Sequence, residues 1–205
     1  MANGQQRKEE YWAATIIKQH FPKLFSENLR YDDMPDLQDD IKKLGIEVVR
    51  NLRANQGEAQ GFIKEFENTQ KSDIPNEKIE KLKKLGFEPY FYNGKLVGLR
   101  SKTYIINTDG IYKTFEKKLI KLQTGNYRIF RNNRLFIFIS LQVACFQRYQ
   151  ILEFVDRVRK LQEGKREKFD VVYLLDEYNS EYDLWACYLK TGAVRKYKPK
   201  YSKIL

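Results

Sequence analysis

Two acidic residues, Asp36 and Glu47, stand eleven positions apart in the stretch DDMPDLQDDIKKLGIEVVR, residues 32–50. Asp36 falls near the end of one expected strand. Glu47 falls on the apolar, β-branched strand GIEVV that follows the polar turn LQDDIKK. Carboxylates placed side by side on neighbouring strands repel each other. A divalent cation relieves that repulsion, and Mg2+ favours hard oxygen ligands. Such an ion lowers the pKa of a bound water and offsets charge on a phosphate, which is the chemistry of phosphodiester hydrolysis.

Pro35-Asp36 followed by Glu47-Val48-Val49 resembles the PD-(D/E)xK nuclease superfamily. The resemblance implies a restriction-endonuclease-like core and Mg2+ as cofactor. It makes Asp36 and Glu47 metal ligands and catalytic residues, together with the Val48 carbonyl. A glutamate from a leading helix often joins the site in that family, a place that Glu9 or Glu10 could fill. The run GIEVVRNLRANQGEAQGFIKEF, with a later KKLIKLQTGNY, looks like small bacterial and phage proteins of the superfamily over residues 8–140. By that likeness Glu58 is an outer site residue. An acid in the first turn of a helix is equally well explained by the macrodipole.

One position departs from the pattern. The family's lysine, two residues after the glutamate, is Val49 here. Strand alternation puts Val49 on the face of Glu47 and Arg50 on the other, so Arg50 does not replace the lysine. Members of the superfamily also carry that lysine on a helix. The expected helix 109–122 has an apolar stripe of Ile111, Phe115, Leu119 and Leu122. Lys118 falls on the edge of this stripe, whereas Lys113, Lys117 and Lys121 lie on the flank or away. A lysine there either snorkels to solvent or meets the carboxylates and takes the missing role.

The surrounding pattern is α/β: a mixed central sheet flanked by helices, with additional strands towards the C-terminus. Apolar periodicity predicts helices over 8–21, 56–70, 77–85, 109–122 and 147–162. Residues 29–50 read as strand, turn, strand. Residues 87–99 read as a hairpin turning at Asn93-Gly94, and 103–107 as a further short strand. The run at 134–142 is continuously apolar, as in a strand buried on both faces; 170–176 reads as another buried strand and 183–190 as the last strong one. No repeat or linker stands out, so one domain over 1–205 is the simplest organisation.

The chain has 205 residues, a formal net charge of +11 and an apolar fraction of 42%. A packed core is within reach, and the basic excess favours a polyanionic partner, DNA or RNA. Basic residues interleave with aromatics in three places, within 113–134, 160–168 and 195–203. Candidate phosphate contacts are Lys117, Lys121, Arg128, Arg131, Arg134, Arg195, Lys196, Lys198 and Lys200. Candidate stacking rings are Tyr127, Phe130, Tyr197 and Tyr201. The plainer account is a solvated helix face, a charged loop and a frayed terminus.

Other chemistries lack their residues. His20 is the single histidine, placed at a helix end where a cation suits the dipole. There is no zinc-ligand spacing and no phosphate-binding GxxxxGK[ST] loop. Cys145 and Cys187 sit in apolar runs and read as core residues. With no apolar leader and no run long enough to span a bilayer, a cytoplasmic protein without membrane contact is expected.

Two functions fit. One is an Mg2+-dependent nuclease, a phosphodiesterase using Asp36, Glu47 and Lys118. The other is a catalytically inactive phage or mobile-element protein on a similar scaffold. It would bind nucleic acid or a nucleic-acid-bound protein complex to block host defence. Val49 in the lysine position favours the second; Pro35, Asp36 and Glu47 favour the first.

Overall fold

The computed structural model describes residues 4–51, 54–101, 108–125, 127–139, 146–178 and 181–198. Among them the chain alternates helices and strands. Helix α1 spans Gly4–His20 and buries Ala13, Ala14, Ile16 and Ile17 along one stripe. It stops just before Pro22, which cannot continue a helix. Three strands follow rather than the expected two: β1 (Arg30–Tyr31), β2 (Leu37–Asp39) and β3 (Leu44–Asn51).

Helix α2 (Ala54–Phe66), a 3-10 turn (Lys71–Asp73), helix α3 (Asn76–Lys84) and strands β4 (Phe87–Tyr92) and β5 (Lys95–Ser101) come next. Gly86 ends α3 at φ 87°, a left-handed conformation that glycine adopts without strain. Asn93 and Gly94, at φ 47° and 75°, form the tight turn between β4 and β5. The strand expected at 103–107 lies outside the described residues. Helix α4 (Asp109–Gln123), strand β6 (Asn132–Ile139), helix α5 (Arg148–Gln162) and strands β7 (Val171–Tyr178), β8 (Glu181–Tyr188) and β9 (Ala193–Tyr197) complete the order.

Strands β1-β2-β3-β6-β7-β8-β9 form one mixed seven-stranded sheet in that spatial order, and β4-β5 form a separate pair. The central strands β3, β6 and β7 run parallel, while the remaining neighbours are antiparallel. Each of the central strands carries an apolar run, as parallel strands covered on both faces do. One face packs Ile46, Val48, Phe136, Phe138, Tyr173 and Leu175 with the buried stripe of α1. Glu47 and Asn51 alternate with those residues and so face the other way. Helix α4 lies on that second face, its Phe115 edge-on to Phe154 of α5.

The chain divides into two compact units: Met1–Asn51 with Asn107–Leu205, and Leu52–Ile106. The second has its own core of Ala59, Phe62, Ile74, Ile79, Leu82, Phe87 and Leu96. No described helix is long and apolar enough to cross a membrane.

Candidate active site

Register brings the two acids together. Leu37 of β2 pairs with Ile46 of β3 in the antiparallel ladder, so Asp36 and Glu47 are the next residues outward on each side. Leu37 and Ile46 point into the α1-facing core. Alternation therefore turns Asp36 and Glu47 to the opposite face together. The Val48 N–H donates to Asp36 Oδ2 at 2.7 Å and fixes that carboxylate at the strand edge.

The local packing leaves little room to shift. A Cβ built on Gly45 would lie 2.7 Å from Pro35 Cγ and 2.6 Å from the Phe130 ring. Glycine is required there because Pro35 and Phe130 close directly onto the β3 backbone. The Arg128 N–H donates to the Met34 carbonyl at 3.1 Å, holding the segment after α4 against the one carrying Pro35.

Helix α4 supplies the cation. Thr114 Oγ1 donates to Asn51 Oδ1 at 2.8 Å, tying the helix to the end of β3. One helical turn on, the Lys118 ammonium donates to Glu47 Oε1. The aliphatic stripe Ile111, Phe115, Leu119 and Leu122 is buried beneath, so Lys118 reaches the sheet from the stripe's edge.

Burial governs the electrostatics. Asp36 is 4% and Glu47 5% exposed. Asp36 has its pKa pushed up to about 7, first by burial and then by the neighbouring Glu47 charge; the Val48 N–H and Lys118 oppose the rise. Glu10, itself buried, adds to it from α1. Tyr127, in the segment after α4, is 5% exposed and faces Glu47. Its hydroxyl pKa is raised by burial and by the Glu47 and Asp36 charges. The two groups interact, yet neither Tyr127 Oη nor Glu47 Oε2 makes a hydrogen bond of normal geometry. The sequence offered Tyr127 as a ring for bases; its place is beside the carboxylates.

Among the described residues no group of three or more acidic, histidine or cysteine side chains is arranged as a metal cage. A hard cation here would rest on two carboxylates, the number Mg2+ commonly takes from protein while keeping waters or phosphate oxygens elsewhere. The donors fit that demand. Glu47 Oε2 is buried with no hydrogen bond, and a second acid faces it.

The remaining candidates are dispersed. Glu9 is bound to Arg50 at 2.7 Å, and Arg50 lies over Phe138 on the α1 side of the sheet. Glu58 pairs with Lys81 at 2.8 Å within the second unit and lies past the first turn of α2, so the macrodipole does not explain it. Lys117, Lys121, Arg131, Arg195 and Lys198 are exposed. Arg128 reaches Asp40 at 2.5 Å and lies over Phe130. Arg134 turns inward and bonds the buried Tyr173 hydroxyl. Lys196 is held by Asp183 at 2.6 Å over the Trp185 ring. Lys200, Tyr201 and Cys145 lie outside the described residues; Cys187 is fully buried, and burial pushes its thiol pKa up. Phe130 is buried, and Tyr197 packs on His20 and Phe21, so neither presents an open ring.

Sequence reasoning passed over a second acidic pair. Asp176 on β7 and Asp183 on β8 are cross-strand partners, both 0% exposed. Asp176 Oδ2 accepts the Phe146 N–H at 2.7 Å, and burial pushes its pKa up to about 6. In DVVYLLD and DLWACYLK these acids stand at the margins of apolar runs and look like strand ends.

No family model, no curated protein and no solved structure matches the chain. The functional reading therefore rests on the site itself.

Proposed function

We propose that the chain is a nuclease-like protein that acts on nucleic acid, with Asp36, Glu47 and Lys118 as the site of metal-assisted phosphodiester hydrolysis. One observation carries the proposal. A lysine from a helix meets the buried glutamate of a β-strand whose own expected lysine position is valine. The order of a leading helix, acids at strand ends, an apolar strand and a later helix agrees with a degenerate restriction-endonuclease-like core.

In this reading Asp36 and Glu47 hold Mg2+, which when bound supplies an activated water and offsets charge on the phosphate. The Val48 N–H keeps Asp36 aligned with Glu47. Lys118 keeps one Glu47 oxygen occupied, and its remaining ammonium protons would orient the attacking water or a phosphate oxygen by hydrogen bonding. A net charge of +11 brings the polyanion to the surface. Action in the cytoplasm belongs to the same proposal.

A second reading has its own support. The carboxylates are nearly closed off and Tyr127 sits over Glu47. That favours an inactive scaffold that binds nucleic acid or a nucleic-acid-bound protein complex. Plasmid DNA, single-stranded DNA and RNA incubated with Mg2+ or Mn2+ separate the two. Cleavage by the wild-type chain that is lost in Asp36→Ala supports the nuclease. Binding without cleavage supports the scaffold, and equal cleavage by both proteins removes the site from consideration.

A further inference from the structure

The β4-β5 ribbon of the second unit has two unlike faces. Cross-strand partners share a face, and the register pairs Phe87 with Ser101, Pro89 with Leu99 and Phe91 with Leu96 on one side. Phe87 and Leu96 belong to the unit's core, with Phe91 and Leu99 packed against it. The other side carries Glu88 with Arg100, Tyr90 with Gly98 and Tyr92 with Lys95. This side is open: Tyr90 is 39% and Tyr92 64% exposed.

Gly98 is the telling residue. A Cβ built there meets nothing within 4 Å, so no packing demand excludes a side chain. Glycine inside a strand weakens it and often marks a bulge or a place where a ligand approaches closely. The register shifts at a β-bulge between Tyr90 and Phe91, beside Gly98, and the cross-strand neighbour of the Tyr90 ring is Arg100. Arg100 lies 4.1 Å from that ring's centre, and Lys95 flanks Tyr92. An open Tyr92 ring beside Lys95 and a guanidinium stacked on Tyr90 match the needs of an unpaired nucleotide chain: flat faces for bases and charge for phosphates.

We infer that Tyr90, Tyr92, Lys95 and Arg100 form a binding face for single-stranded nucleic acid, with bases on the Tyr92 ring and on the Tyr90–Arg100 stack and with Gly98 keeping the strand surface beside that stack clear. This deepens the proposed function by naming its substrate class, and it rests on that reading. Residues two apart on a strand are about 7 Å apart, whereas stacked bases are separated by about 3.4 Å. Bases resting on both rings are therefore unstacked from each other, which selects a single strand over a duplex.

Binding of the full chain to a labelled oligothymidylate, and to its duplex with oligoadenylate, is measured by fluorescence anisotropy in EDTA. The wild type binds the single strand more tightly. Tyr90→Ala/Tyr92→Ala weakens that binding about tenfold or more, while Tyr90→Phe/Tyr92→Phe retains it. Gly98→Thr weakens it with an unchanged or higher melting temperature. Arg100→Gln lowers the salt slope by about 0.7. Oligothymidylate binding by the wild type with no Mg2+-dependent cleavage sinks the hydrolytic site and spares this face. The inference is overturned if the wild type does not bind oligothymidylate, if the alanine pair binds within about twofold of it, or if the duplex binds as tightly as the single strand.

Discussion

Lys118 on α4 donates to Glu47 on β3 across 71 residues of chain, and this pairing sets the character of the site. The Lys118 side chain is 17% and the Glu47 side chain 6% exposed. Removing one member of a buried pair leaves an uncompensated charge, at about 3–5 kcal/mol. Lys118→Ala is therefore expected to lower the urea midpoint strongly. Lys118→Met/Glu47→Leu should recover most of that loss while remaining inactive on nucleic acid. If the double variant retains metal-dependent cleavage, the pair is structural only.

Asp36 gives the fold a pH dependence. Its folded pKa, about 7, lies above the ordinary 3.8, so the folded chain binds more protons between those values. Its contribution to stability is full below about pH 4 and is lost as pH rises through about 7. Asp176, raised to about 6, acts in the same direction. Asp36→Asn should flatten the decline in melting temperature over that window, leaving the part due to Asp176. An unchanged slope would mean that Asp36 is ionised throughout.

Much of this was legible in the chain, for identifiable reasons. The apolar, β-branched run GIEVV announces a strand, and a helical projection places Lys118 at the border of the α4 stripe. Strand β9 was not legible. Of its five residues only Val194 is buried, so an edge strand with one face in solvent reads like a basic tail. Arg134 looks like a surface base before a strand, yet alternation turns it towards Tyr173. Tyr127 gives no sequence signal of its place beside Glu47, because its segment has no periodicity. The separate unit at Leu52–Ile106 is hidden because no Gly- or Pro-rich linker marks its borders.

Gly45 carries a steric requirement with a direct consequence. With Pro35 and Phe130 against it, Gly45→Ala overpacks the strand, at about 1–3 kcal/mol. The same substitution displaces the segment that presents Asp36, so cleavage should fall more than stability explains. A fully active, equally stable Gly45→Ala chain would show that this close approach is not needed.

The basic residues divide by placement. Lys117 and Lys121 are exposed, and replacing each with glutamine should lower the salt slope of duplex binding by about 0.9 per lost phosphate contact. Arg134→Gln should lower the melting temperature and leave the slope alone, since its guanidinium is engaged with Tyr173. The opposite pattern would place the phosphate path on the other face of the sheet.

Calorimetric titration of Mn2+ into the metal-free chain addresses the shared-cation site most directly. A single binding event is expected that tightens as pH rises from about 6 to about 8, as Asp36 gives up its proton. It should vanish in both Asp36→Asn and Glu47→Gln. No binding by the wild type, or binding that survives both substitutions, would contradict a cation held between these two carboxylates.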